Sequence, residues 1–283
     1  MSGLKNIIKN CLPFGIVQFL QRKRAAVQYE GNYPDWQAAS CNAKGYDAGN
    51  ILEDVKNSVA EVLKGNAVFE RDSVLFYTEE PNYPLLAAVF RALNGKKDLK
   101  LLDFGGGLGS VYFQNRKYLS CLEKISWRIV EQKHFVDAGR ELFCSYNTPV
   151  SFYFTLDEAM KGWKPDIVLL SSVLQYLPDY KAILEDIKKH NIETIVIDRC
   201  LCWCEDLPHR YCIQSVSKAI YKASYAVQLF NLQDLISVLS PEYQVDDTWF
   251  SYADVEYLQE QEARYYGMVF SRNKKKERVD KHV

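Results

Sequence analysis

The sequence predicts an α/β fold: a mostly parallel sheet, helices on both its faces, and an antiparallel pair of strands at its end. Three observations predict it. From Leu99 onward, short apolar runs alternate with helical patterns. Those runs are almost continuously apolar, as expected of strands covered on both faces. And the first run leads directly into a glycine-rich turn, GGGLG, followed by a helical pattern.

The elements follow in order. KLLDF (100–104) reads as a strand and SVYFQNRKYL (110–119) as a helix. WRIVE (127–131) is a strand, with a helix near 133–143. SFYF (151–154) is a strand and LDEAMKG a short helix. DIVLLSS (166–172) and TIVIDR (194–199) are strands on either side of the helix KAILEDIKKH (181–190). After the helix NLQDLISVL (231–239), the runs YQVDDTWF (243–250) and RYYGMVFSR (264–272) lack a good helix between them, which suggests the antiparallel pair. Residues 1–98 differ. ILEDVKNSVAEVLK (51–64) places its apolar residues at helical spacing, and PLLAAVFRAL (84–93) has proline in its first turn. The expected organisation is a helical cap over 1–98, a sheet domain over 99–271 and a basic tail over 272–283.

The chain has 283 residues, 48% hydrophobic and 25% charged, enough for one sizeable core. Its net charge of −1 is unevenly placed: residues 1–24 carry +5 and residues 272–283 carry +4, which leaves −10 between them. An acidic body argues against a broad nucleic-acid-binding face. Eight cysteines with no convincing secretory signal read as reduced thiols in a cytoplasmic protein. The apolar run LPFGIVQFL (12–20) is well short of the roughly 20 residues a membrane span needs. Residues 1–24 mix apolar and basic side chains in a way that suits peripheral contact with an anionic membrane.

A glycine turn between a strand and its helix lets backbone pass close to a ligand. Dinucleotide sites space their glycines G-x-G-x-x-G. Here Gly105, Gly107 and Gly109 follow G-x-G-x-G, and Ser110 stands where the third glycine belongs. No Gly-Lys-Ser/Thr follows, which excludes a phosphate loop. Asp103, two residues before the turn, is ill suited to face a pyrophosphate and well suited to a cation, such as the ammonium and sulfonium of S-adenosyl-L-methionine (AdoMet). Glu131 ends the second strand, 22 residues after Gly109, where a carboxylate accepts ribose hydroxyls. Ser171 and Gln175, beyond the fourth strand, lie where ligands bind in open parallel sheets and would meet the methionine half of the cofactor. A nicotinamide-dependent oxidoreductase and a non-catalytic assembly protein are the competing readings; the glycine spacing and Asp103 disfavour the first.

On D-x-G-x-G-x-G at 103–109 and the strand plan, residues 99–272 resemble the class I AdoMet-dependent methyltransferases. Over nearly the whole chain, GNYPDWQAA (31–39), GNAVFERDSVLF (65–76), LLDFGGGLGS, WRIVEQ, SSVLQYLPDY and IQSVSKAIYKASYAVQLF (213–230) resemble a methyltransferase family of polysaccharide and lipopolysaccharide gene sets. The resemblance implies a Rossmann-like sheet, AdoMet as cofactor and a saccharide or saccharide-linked acceptor. It does not name the acceptor atom or the oligomeric state.

Methyl transfer from a sulfonium needs an aligned nucleophile in a dry site, and a hydroxyl acceptor benefits from a general base. Asp198 and His209 are the candidate bases; Arg199, beside Asp198, is placed to orient an anionic group. A structural ion pair at the strand end is an equal reading of Asp198–Arg199. Glu70, Arg71 and Asp72 form either a polar wall of the cap over the cofactor or a solvated turn. The stretch CLCWCEDLPHRYC (200–212) reads as an unusual loop after the fifth strand. Its cysteines and His209 lack C-x-x-C spacing and would all come from one loop, so no metal is expected.

Overall fold

The structure, a computed structural model, describes residues 27–43, 48–216, 224–251, 256–258 and 261–273. Residues 1–24, proposed for membrane contact, and all but the first two residues of the basic tail lie outside them.

The N-terminal part contains β1 (Val27–Tyr33), α1 (Trp36–Asn42), α2 (Ala48–Leu63), a hairpin of β2 (Phe69–Arg71) and β3 (Val74–Phe76), and α3 (Tyr83–Leu93). The alternating part follows: β4 (Asp98–Phe104), α4 (Ser110–Leu119), β5 (Lys124–Val130), α5 (Lys133–Phe143), β6 (Val150–Tyr153), α6 (Leu156–Met160), β7 (Ile167–Ser171), a 3-10 turn (Leu174–Tyr176), α7 (Tyr180–Lys189) and β8 (Thr194–Trp203). The remainder holds β9 (Arg210–Val216), β10 (Ser224–Leu229), α8 (Leu232–Leu239), β11 (Tyr243–Phe250), β12 (Glu256–Leu258) and β13 (Gln261–Arg272).

The large sheet has the order β6-β5-β4-β7-β8-β13-β11, with β12 on the end of β13. From β6 to β8 all neighbours are parallel; β13 is antiparallel to both β8 and β11. Numbered along the chain, the seven strands lie 3-2-1-4-5-7-6. This is the strand plan expected from the sequence, a Rossmann-like α/β sheet with one antiparallel strand near its end.

Burial explains why the parallel strands read as unbroken apolar runs. Successive residues point to opposite faces, and both faces are covered. Leu101, Ile167, Leu169 and Val196 join a core with α2, α3, α4 and α5. Leu102, Val168, Leu170, Ile195 and Ile197 join a second core with α6, α7 and α8. Each such side chain contributes roughly 1.5–3 kcal/mol by leaving water. The order reverses between β4 and β7, whose chains leave in opposite directions. That opens a crevice at their carboxyl ends, directly below the glycine turn.

Two expectations need correction. Residues 1–98 are not a purely helical cap. β1 crosses to form a separate antiparallel sheet, β1-β9-β10, with strands drawn from the region after β8. Its partners lie so far along the chain that no local pattern announces them. The hairpin β2–β3 is the second strand element there; Asp72 and Ser73 form its two-residue turn with φ of 51° and 66°, the positive values such hairpins require. And CLCWC is not loop: β8 is buried over its full length to Trp203, with Cys200 and Cys202 in the core beside α7 and α8 and Leu201 and Trp203 packed against the small sheet.

Candidate functional site

The glycine turn begins where β4 ends. Gly105 donates to the Val130 carbonyl at 2.9 Å, tying the turn to β5. Gly105, Gly107 and Gly109 have positive φ of 73°, 56° and 95°, a region that favours glycine. A Cβ on Gly105 would lie 2.4 Å from the Val173 side chain, and one on Gly106 would lie 2.5 Å from the Asp103 carboxylate. A Cβ on Gly107 would meet nothing within 4 Å, so the middle of the turn faces open space. Gly106 was not singled out in the sequence pattern. The run of three consecutive glycines was the available signal.

Asp103 lies under this turn with no exposed surface. Trp127 Nε1 donates to its Oδ2 at 3.0 Å, while Oδ1 is buried without a hydrogen-bond partner. Burial lifts its pKa to about 7, against the opposing Trp127 hydrogen bond; the nearby Glu131 adds to the rise and Arg199 opposes it. A carboxyl held like this gains from a cation brought beside it. Glu131 follows β5, with its carboxylate accepting from the Gln132 amide and facing the Gly107 amide; burial raises its pKa. It thus borders the open middle of the turn. An orphaned buried carboxylate, a second carboxylate at the next strand end, and glycines whose Cβ atoms would fill the cradle together fit a cationic nucleoside such as AdoMet.

Ser171, Asp198 and Arg199 come together beside this crevice. Asp198 is fully buried. Its Oδ1 accepts from Ser251 Oγ at 2.7 Å, and its Oδ2 accepts from Asn82 Nδ2 at 2.9 Å and from Ser171 Oγ at 3.3 Å. Arg199 Nε lies 3.5 Å from Oδ2, and Arg199 Nη2 donates to Gln114 Oε1 at 2.8 Å. This is the ion-pair reading made concrete, with donors from three other chain segments added. Gln175, also buried, donates to the Arg199 carbonyl at 3.2 Å and to Ser172 Oγ at 3.3 Å.

A β-bulge sets this cluster. In the β13–β8 ladder, Met268 pairs Ile197 and Tyr266 pairs Cys200, so Asp198 and Arg199 both stand opposite Gly267. Arg199 takes φ 52°, and its amide donates to Ser251 Oγ at 3.1 Å instead of to the ladder. The extra residue re-aims the two side chains at the sheet's carboxyl edge. Neither Asp198 nor Arg199 is unusual in sequence, so the bulge left no signal. Asn82, Ser251, Gln114 and Trp127 were also missed. Gln114 and its neighbour Asn115 are polar residues buried on α4, the one feature that could have marked it.

His209 is placed elsewhere. Its ring stacks on Tyr180 at 6.1 Å and meets Tyr211 and Phe230 edge-on at 4.7 and 5.4 Å. Burial lowers its pKa. These contacts are with aromatic rings rather than with Asp198 or the glycine turn. Among the described residues, no three of His, Cys, Asp and Glu converge to hold a metal ion.

The hairpin β2–β3 packs against α4, the helix that follows the turn. Glu70 is 2% exposed and accepts from Ser110 Oγ and, at 3.1 Å, from the Ser73 amide. The charge of Asp72, at the tip, reaches the Tyr176 hydroxyl beyond β7 and raises its pKa, after burial and Tyr265. Polar groups also line the seam between the two sheets. Tyr29, Gln214 and Tyr225 form one row across the small sheet. They meet Tyr265, 2.6 Å from Tyr29 between hydroxyls, and Tyr176, whose hydroxyl donates to Gln214 Oε1 at 3.0 Å. Burial pushes the Tyr29 and Tyr176 phenols well above their usual pKa, so both stay neutral, with the charges of Glu256 and Asp72 within reach of them.

No protein-family model and no curated protein sequence matches this chain. Among solved structures, it is similar to the N-terminal domain of EvdMO1, crystallised with SAH and D-fucose, at 17% identity and a TM-score of 0.47, over 81% of this chain and 98% of that one. It is similar to the CcbJ methyltransferase from Streptomyces caelestis at 13% identity and a TM-score of 0.47, over 78% and 98% of the two chains. A third is magnesium protoporphyrin IX methyltransferase from Synechocystis, with bound SAM, at 13% identity and a TM-score of 0.42, over 80% and 86%. At these values the matches assign neither ligand nor reaction to this chain; the 3-2-1-4-5-7-6 sheet stands on the strand pairing itself.

Proposed function

We propose that this chain is an AdoMet-dependent methyltransferase acting on a saccharide or saccharide-linked acceptor in surface polysaccharide biosynthesis. The observation that carries the cofactor is Asp103: a fully buried carboxyl with one unpartnered oxygen, beneath a glycine turn, at the point where the strand order reverses. A dinucleotide would bring a pyrophosphate to this turn, against that carboxylate.

Bound AdoMet supplies a methyl group on a cationic sulfur. Asp103 and the glycine turn would hold the amino-acid end, Glu131 the ribose hydroxyls, and Ser171 and Gln175 the wall beyond β7. Asp198 and Arg199 then act by position. Asp198 already accepts from Asn82, Ser171 and Ser251, and is better suited to fixing the carboxyl edge of the sheet than to taking a proton. Transfer would break the sulfur–methyl bond and form one to an acceptor oxygen, whose proton would go to solvent or to a base at the mouth of the site. Alignment in such a site is worth roughly 7–11 kcal/mol of barrier.

The saccharide reading is supported by the seam between the sheets. Phenols and an amide, all neutral, suit a ring bearing hydroxyls better than they suit a charged or wholly apolar acceptor. A cytoplasmic enzyme meeting a lipid-linked acceptor through residues 1–24 remains part of this proposal. No helix of the described residues is long and apolar enough to cross a membrane.

The test is a screen of nucleotide sugars, free glycans and lipid-linked glycans for S-adenosylhomocysteine release, beside calorimetry with AdoMet and NAD. Binding of NAD without AdoMet would defeat the cofactor reading. Turnover on an acceptor with no sugar, and on none with one, would defeat the acceptor reading.

A further inference from the structure

The glycine turn has a second buried carboxylate close to it, and this one comes from outside the parallel sheet. Glu70 sits on β2, which runs along α4: Arg116, on α4, reaches the Val68 carbonyl at 3.3 Å, and Glu70 meets Ser110 at the start of that helix. Ser110 directly follows Gly109. The hairpin then continues past the turn until Asp72 comes within electrostatic reach of Tyr176. The hairpin therefore packs beside the start of α4, with Glu70 against the residue that follows the last glycine of the turn and Asp103 near the end of β4.

The charges in this space are unequal. Asp103 and Glu70 are both buried, at 0% and 2% exposure, and both carboxyls are raised in pKa mainly by burial. Arg71, next to Glu70, lies over the rings of Phe69 and Phe76 at 5.5 and 5.2 Å, and its charge only partly offsets Glu70. Glu70 accepts one hydrogen bond on each oxygen, from Ser110 and from Ser73, and a carboxylate has lone pairs for about four. One oxygen of Asp103 is buried with no hydrogen-bond partner. Burying two carboxylates around one turn is costly unless cationic donors come between them.

We propose that Glu70 is a cofactor-binding residue that takes the α-ammonium of the methionine end of AdoMet. The assignment rests on the AdoMet reading above and adds to it a contact from the N-terminal segment. Asp103 then serves the same cationic end from below, and Ser110 holds the Glu70 carboxylate in place. By this account the hairpin is part of the cofactor site, and recognition of the amino-acid end is divided between the sheet and the segment that precedes it.

The experiment uses the full chain and three probes: AdoMet, S-adenosylhomocysteine, and 5′-deoxy-5′-methylthioadenosine, which keeps the nucleoside and sulfur but lacks the amino acid. Calorimetry on Glu70→Gln should show affinity for the first two falling tenfold or more, with methylthioadenosine within twofold of wild type. Glu70→Asp should recover part of the loss, and Ser110→Ala should show a smaller loss with the same ligand pattern. Equal affinities in wild type and Glu70→Gln would overturn the assignment. So would a parallel loss for all three probes in Glu70→Gln, which marks a purely structural role. A wild-type chain that binds none of the probes would remove the cofactor reading itself, a result distinct from either. If Glu70→Gln fails to fold by circular dichroism, the Ser110→Ala pattern decides the matter alone.

Discussion

Asn82 Nδ2 donates to Asp198 Oδ2 at 2.9 Å, joining the segment before α3 to the end of β8 across 116 positions of chain. The same asparagine caps α3, accepting from the Leu85 amide at 3.1 Å, and its own amide donates to Asn115 Oδ1 at 3.0 Å. One side chain therefore starts a helix and fixes the carboxyl edge of the sheet. Asn82→Ala should lower unfolding free energy by about 1–3 kcal/mol, the cost of leaving buried partners unsatisfied. Asp198→Ala should cost about 3–5 kcal/mol, because it strips a buried guanidinium of its carboxylate. Urea titration of the two variants checks both values and their order.

The buried Asp103 carboxyl makes the empty protein sensitive to pH in a definite direction. Its folded pKa of about 7 lies above the ordinary 3.8. Between those values the folded state binds the extra proton, so the stability this group contributes is present at low pH and is lost as pH rises through about 7. Asp103→Asn, which keeps an acceptor for Trp127, should raise the apo melting temperature at pH 8 and change it little at pH 5. It should also weaken AdoMet binding at least tenfold at pH 8. Thermal melts at the two pH values, with calorimetry at the higher one, test the pair of effects. A variant less stable at pH 8 would contradict the argument.

Gly106→Ala places a Cβ 2.5 Å from the Asp103 carboxylate. Neither side can move freely, since Asp103 is held by Trp127. AdoMet affinity should fall more than tenfold while far-ultraviolet circular dichroism stays unchanged. Gly162→Ala offers a control: unlike Gly106 it has positive φ, at 66°, and its Cβ would meet nothing within 4 Å. It should cost about 1–2 kcal/mol of stability and leave affinity alone.

His209 sits among Tyr180, Tyr211 and Phe230, where burial keeps its folded pKa below the ordinary value. The unfolded chain takes up that proton more readily, so the stability the neutral ring contributes is lost as pH falls below about 6.5. His209→Phe should fold with a melting temperature near wild type at pH 8, show a smaller loss between pH 7 and pH 5, and bind AdoMet unchanged. A large loss of cofactor affinity would restore His209 to the site.

The parts of this molecule that were legible in sequence are those whose cause is local. β4, β7 and β8 announce themselves because both faces of each strand are buried, which forces unbroken apolar runs. The glycine turn announces itself because three of its residues need positive φ. The parts that were not legible depend on partners far away. VQYEGNY (27–33) has no reason to be a strand until residues 210–216 lie beside it. The CLCW stretch resembles a curious loop until helices α7 and α8 and the small sheet cover it. Asp198 looks like a candidate base until Asn82, Ser171 and Ser251 are seen to occupy its oxygens.

The boundary that sequence places near residue 98 follows a change of pattern, yet the structure is stitched across it. Asn82 crosses it to reach Asp198, Glu70 crosses it to reach Ser110, and β1 crosses it to become an edge strand beside β9. A fragment starting at residue 99 would retain every glycine of the turn but would lose Glu70 and Asn82 and bare one edge of the small sheet. The parallel sheet in this chain is therefore no autonomous module, and excising it should yield a protein prone to edge-to-edge association instead of a minimal enzyme.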